Sequence, residues 1–132
     1  MNQDQTLSLN FMVVDDSGIT AKKLTKMLQE LGHKVVCVAR TGQEAVEKYE
    51  STVPDMVTMD ITMPGMDGIE ATRQIIRKYK DAMIIMVTSH GQEHMVIDAI
   101  QSGARGYVIK PFKAETLSRS INKIIDKFMS DV

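Results

Sequence analysis

Apolar residues along this chain fall into short unbroken runs, separated by longer stretches in which they recur every three or four positions. The runs are Phe11-Met-Val-Val14, Val35-Val-Cys-Val-Ala39, Met56 to Met59, Met83-Ile-Ile-Met-Val87 and Gly106-Tyr-Val-Ile109. Their length and bounding acids, hydroxyls, glycines and prolines predict five strands. Between them, Leu24, Met27, Leu28 and Leu31 mark the inner face of a helix running from Ile19 to Leu31, with Lys22, Lys23 and Lys26 opposite. A second helix carries Ala45, Val46 and Tyr49, and a third Ile69, Thr72, Ile75, Ile76 and Tyr79. Met95, Val96, Ala99 and Ile100 face inward from a fourth, and Leu117, Ile121, Ile124, Ile125 and Phe128 form the stripe of the last. The punctuation agrees with this division. Gly32 ends the first helix, Thr41 and Glu44 form a capping box, Asp67 with Glu70 opens the third helix, and Gly103 suits a left-handed C-cap.

Strand and helix therefore alternate five times, joined by short connections. Strands apolar on both faces between amphipathic helices predict a parallel sheet covered on both sides. Five units suit an open doubly wound α/β sheet, since a barrel takes about eight. A chain of 132 residues fits one domain. The polar start MNQDQTLS, with neither a basic end nor an apolar centre, predicts a flexible tail over 1–8 ahead of a domain over 9–132. No apolar run approaches the roughly 20 residues of a membrane helix.

Composition narrows the function classes. The chain is 43% hydrophobic and 25% charged, as in ordinary soluble globular proteins. A net charge of -1 gives no reason to expect nucleic acid or an anionic membrane as partner. The single Cys37 excludes an internal disulfide and reads as a buried, inert thiol. The 11 methionines fall mostly at strand and helix core positions, as core filler.

The candidate chemistry lies at the strand ends. In a parallel sheet these meet at one edge, however far apart they are in sequence. Asp15 and Asp16 follow the first strand, Asp60 ends the third, Thr88 and Ser89 the fourth, and Lys110 the fifth. Like charges about 4 Å apart repel by roughly 4 kcal/mol at an effective dielectric near 20. Three gathered carboxylates thus need protons or a cation. Oxygen-only ligands describe magnesium, and no Cys/His set for zinc is present. With Lys110 and Thr88 to contact phosphoryl oxygens and Asp60 as nucleophile, the set suits phosphoryl transfer.

VVDDS, MDITMPGMDG, MVTSHG and YVIKPF, in this order and spacing over about Asn10 to Met129, resemble the motifs of the receiver domain of two-component response regulators. The whole chain is similar to the single-domain chemotaxis members. The resemblance implies a flavodoxin-like fold, a (βα)5 three-layer sandwich with strand order 2-1-3-4-5. It implies that Asp60 accepts a phosphoryl group from a sensor histidine kinase. Asp16, Asp60 and the backbone carbonyl of Thr62 then ligate magnesium, with Asp15 acting mainly through water. Lys110 contacts the phosphoryl group, aimed by a cis Lys110–Pro111 peptide. Thr88 and Tyr107 form a switch to the surface of the fourth helix, fifth strand and fifth helix. Thr62 and His90 match the positions that tune dephosphorylation.

The implied protein is a cytoplasmic monomer, a signalling module rather than an enzyme, that catalyses its own phosphorylation and slow dephosphorylation. Its partners are a chemotaxis-type histidine kinase, the flagellar motor switch protein and a separate phosphatase. A second reading within the family is a phosphate sink or relay intermediate that never docks on a motor. A third, of another class, is a small flavodoxin-like enzyme or mononucleotide binder. It lacks a Gly-rich phosphate loop, because VVDDSG puts acids where glycines approach phosphate. His33 and His94 read as solvated, and a zinc site from His90 and His94 has no third ligand nearby.

Overall fold

The computed structural model describes residues 7–89 and 93–129. Its strands are β1 (Asn10–Val14), β2 (Lys34–Ala39), β3 (Met56–Asp60), β4 (Ile84–Thr88) and β5 (Gly106–Ile109). The helices are α1 (Gly18–Glu30), α2 (Gly42–Thr52), α3 (Gly68–Lys78), α4 (Glu93–Gln101) and α5 (Ala114–Ile124), and α5 runs into a π-helical turn over Ile125–Met129. All pairings are parallel and the strand order is β2-β1-β3-β4-β5. This is the doubly wound sandwich that the alternation predicts, with the flavodoxin-like strand order that the resemblance implies.

Two apolar cores follow from the strand period of two. Met12, Val57, Met59, Ile84 and Met86 face α2, α3 and α4, where Tyr49, Ile75 and Ala99 meet them. Phe11, Val13, Met56, Ile85 and Val87 face the other way, onto Leu24, Leu28, Leu117 and Ile121 of α1 and α5. Met12, Met56, Met59 and Met86 are fully buried, in keeping with methionine as core filler. The caps form as expected: Thr41 Oγ1 accepts from Glu44 N at 3.0 Å, and Asp67 Oδ1 from Glu70 N at 2.8 Å. Gly32 and Gly103 take the positive φ values, 96° and 116°, that end α1 and α4.

Several expectations need correction. Only the inner strands are mostly apolar and buried, with Asn10 the one exposed residue among them. β2 and β5 are sheet edges, so Val36, Tyr107 and Ile109 are exposed. β4 lies one residue later than predicted, over Ile84–Thr88, because Thr88 pairs with Ile109. Ile100 and Phe128 point outward, and the Phe128 ring is covered by the Arg105 guanidinium 4.5 Å from its centroid. Cys37 is half-buried, on the edge strand, with its sulfur 3.6 Å from Thr52 Oγ1. His33 is buried rather than solvated. Its Nδ1 accepts from Leu9 N at 3.1 Å, and its ring lies 5.1 Å from that of Phe11. Of the expected tail over 1–8, Leu7 and Ser8 are exposed and the rest lies outside the described residues.

Candidate functional site

The three acids converge at the C-terminal edge of the sheet. β1 and β3 are neighbours, with Val14 paired to Met59, so the residues that follow these two lie side by side. One carboxylate oxygen from each of Asp15, Asp16 and Asp60 falls within 4.8 Å of the others. Asp15 is 1% exposed and Asp60 6%, whereas Asp16 opens to solvent. Asp15 is fixed locally: its N–H donates to the Ala39 carbonyl at 3.0 Å, and its Oδ1 accepts from Ser17 N at 2.9 Å. Ser17 in turn caps α1, its hydroxyl accepting from Thr20 N at 3.3 Å.

Lys110 supplies the cation. Its Nζ lies 2.9 Å from Asp15 Oδ2 and 3.7 Å from Asp60 Oδ1. It follows β5 directly, its N–H donates to the Thr88 carbonyl at 2.7 Å, and the Lys110–Pro111 peptide is cis as expected. Burial and the negative charge of Asp15 push the Asp60 carboxyl up to about 6, against the pull of Lys110 and with a further push from Asp16. One ammonium does not neutralise three carboxylates. The donor set is all oxygen, as a hard divalent cation requires.

The loop after Asp60 is shaped by close approach. The Gly68 N–H donates to the Ile61 carbonyl at 2.8 Å, and a Cβ on Gly68 would lie 2.0 Å from the Asp60 carbonyl oxygen. Only glycine lets α3 start so close behind the nucleophile candidate. Gly65 in the same loop takes a φ of 75°.

The other predicted residues divide. Thr88 is buried at the end of β4, on the same edge as Asp60, whose partner is Val87. Thr62 is exposed, two residues past Asp60. Tyr107 is 43% exposed and lines a groove of about 480 Å³ with Arg105, Lys123 and Phe128, away from the acids. His90 lies outside the described residues, and with it the suggested His90–His94 zinc pair. Arg40 was missed: its guanidinium reaches the Asp16 carbonyl at 2.9 Å, a contact that no motif signals.

Comparison with known proteins agrees with this geometry. The family model described as the response regulator receiver domain matches residues 11–122. The chemotaxis protein CheY of Bacillus subtilis is 45% identical over 115 residues, covering 87% of this chain and 96% of that protein. PilH of Pseudomonas aeruginosa is 40% identical over 116 residues, covering 86% and 95%. Among solved structures, the CheX–CheY–BeF3–Mg2+ complex from Borrelia burgdorferi superposes with a TM-score of 0.87 at 35% identity, covering 95% of each chain. The chain belongs to the response regulator receiver domains, the phosphorylation-switched signalling modules of two-component systems.

Proposed function

We propose that Asp60 is the phosphoacceptor, that Asp15, Asp16 and Asp60 share a magnesium ion, and that phosphorylation remodels a partner-binding face to control chemotaxis. The observation that carries this reading is the placement of Lys110 Nζ between two carboxylates that lie within 4.8 Å of a third. The Asp60 carboxylate oxygen attacks the phosphorus of a kinase phosphohistidine. The P–N bond breaks, and its electron pair returns to the imidazole, which leaves neutral once it carries a proton. Lys110 and the Thr88 hydroxyl meet the charge on the transferring oxygens.

Magnesium fits the donor set, and Asp16 and Asp60, with the Thr62 carbonyl, are the residues to hold it, Asp15 acting mainly through water. When bound it neutralises phosphoryl charge. Asp60 has to be ionised both to ligate and to attack, and with its pKa raised only to about 6 its carboxyl is mostly ionised at neutral pH. The similarity to the beryllofluoride–magnesium complex of Borrelia CheY supports both metal and acyl phosphate.

As Thr88 turns toward the phosphoryl group, the Tyr107 ring moves inward and carries the change to the surface of α4, β5 and α5. Tyr107 is exposed in this structure, and the switch requires its ring to be buried after phosphorylation. The chain works as a cytoplasmic monomer, and among the described residues no helix is long and apolar enough to cross a membrane. The similarity to CheY proteins supports a chemotaxis histidine kinase upstream and the flagellar motor switch downstream, with a separate phosphatase for shut-off. The phosphate-sink reading stays as the alternative because a relative not named as a chemotaxis protein, PilH, is nearly as similar as the CheY relatives. A pull-down of flagellar switch protein with and without beryllofluoride separates them. Motor control predicts capture that depends on beryllofluoride, and a sink predicts none.

A further inference from the structure

Arg40 follows the last residue of β2 and belongs to none of the receiver motifs. Its Nη2 donates to the backbone carbonyl of Asp16 at 2.9 Å, across 24 residues of sequence. The same guanidinium lies against Gly18, where a Cβ would come within 3.4 Å of Nη2 and 3.5 Å of Nη1. The main chain of Arg40 is itself anchored, since its N–H donates to Glu44 Oε1 at 2.8 Å. That contact is the far half of the α2 capping box, displaced by one residue so that it holds Arg40 instead of Thr41.

Two residues on, Gly42 presses on the loop after Asp60. An added Cβ there would meet the Met66 carbonyl oxygen at 2.5 Å. One corner of the fold therefore touches both the loop that carries Asp16 and the loop that follows Asp60. The hydrogen bonds that fix Asp15, from its own N–H to Ala39 and from Ser17 N to its Oδ1, do not include the Asp16 carbonyl. Asp16 is also the exposed member of the three. Arg40 adds a tether at that peptide from the junction of β2 and α2.

The geometry points to Arg40 as a positioning residue: by fixing the Asp16 peptide it aims the Asp16 carboxylate at Asp15 and Asp60 and so sets the affinity of the acid cluster for a divalent cation. This rests on the reading of the cluster as a magnesium site. Charge and position make opposite forecasts. As a cation beside the cluster, Arg40 repels magnesium, so its loss should tighten binding; as a tether, its loss should weaken binding.

The test is a calorimetric titration of magnesium into the full chain, as wild type, Arg40→Ala and Arg40→Lys, with metal-free melting curves for all three. Arg40→Ala should weaken magnesium binding about tenfold, as loss of a residue that orients a metal ligand does. Arg40→Lys should restore most of it, because an ammonium can still donate to the carbonyl. Both variants should melt without metal within about 2 °C of wild type, since the side chain is exposed. Equal or tighter binding in Arg40→Ala overturns the role, as does a weakening matched by lost metal-free stability. Wild type that binds no magnesium refutes the metal site itself and the tether with it, whereas intact binding in Arg40→Ala refutes the tether alone.

Discussion

Lys110 makes its shorter contact with Asp15, at 2.9 Å, and leaves Asp60 at 3.7 Å. Asp15 is 1% exposed, so without Lys110 it would be a buried and unpaired charge. Removing one partner of a fully buried pair costs roughly 3–5 kcal/mol. The Lys110 side chain is 20% exposed, which lowers the expectation for Lys110→Met to about 2–3 kcal/mol at pH 8. Urea unfolding at pH 8 measures it. A variant as stable as wild type would show that solvent, rather than Lys110, holds the Asp15 charge.

Asp60 gives the metal-free protein a pH dependence of defined sign. Its carboxyl is raised from 3.8 to about 6 by burial and by Asp15, so the native state binds the proton more tightly than the unfolded chain. Stability from this group is greatest below pH 4, falls as pH rises from about 4 to 6, and is level above. Two pKa units correspond to about 3 kcal/mol at most. Asp60→Asn should therefore stabilise the metal-free fold at pH 8 by up to that amount, with the gain gone below about pH 4. Melting curves of both proteins against pH check this, and a variant less stable than wild type at pH 8 would contradict it.

Magnesium should remove the same repulsion. Binding to the native state alone stabilises by RT ln(1 + [L]/Kd), about 2.7 kcal/mol at one hundred times Kd. For a domain of this size that is a rise of roughly 8 °C in Tm. The rise should shrink below pH 6, where Asp60 takes up its proton, and in Asp16→Asn assayed at pH 8, where the Asp60 carboxyl is ionised. A Tm indifferent to magnesium at pH 8 would count against a shared site.

Gly68 tests the geometry behind Asp60. Gly68→Ala places a Cβ 2.0 Å from the Asp60 carbonyl oxygen, a backbone atom with nowhere to go. The expected cost is about 3 kcal/mol. At Gly18, where a Cβ would come only within 3.4 Å of the Arg40 side chain, alanine should be tolerated within about 1 kcal/mol. Denaturant midpoints of the two variants give the contrast, and equal midpoints would contradict it.

Thr62 is exposed two residues past Asp60, and under the proposed function a longer amide at this position would hold water for in-line attack. Thr62→Asn should shorten the phosphoryl lifetime several-fold. Phosphate release from labelled protein reads it, and an unchanged rate would remove Thr62 from the timing.

Much of this architecture was legible in the sequence because parallel strands with helices on both faces leave a strong periodic signal. Strand ends then locate Asp15, Asp16, Asp60, Thr88 and Lys110 without coordinates. What the sequence hides is whatever depends on position within the sheet. Val36 and Ile109 look like core residues and are exposed because β2 and β5 are edges. His33 looks like a polar loop residue and is buried, its Nδ1 accepting from the Leu9 N–H and its ring packed on Phe11. Phe128 continues the α5 stripe, yet the π-helical turn carries it outward, where Arg105 covers it. Arg40 had no signal at all, since its partner is a backbone carbonyl and carries no side-chain signature.

The most direct test of the account is the site and number of acid-labile phosphoryl groups after incubation with acetyl phosphate and magnesium. The account predicts one phosphoryl per chain, mapped to Asp60, and none in Asp60→Asn of native fold. Undiminished labelling of Asp60→Asn, or a phosphoryl group mapped elsewhere in wild type, would contradict it.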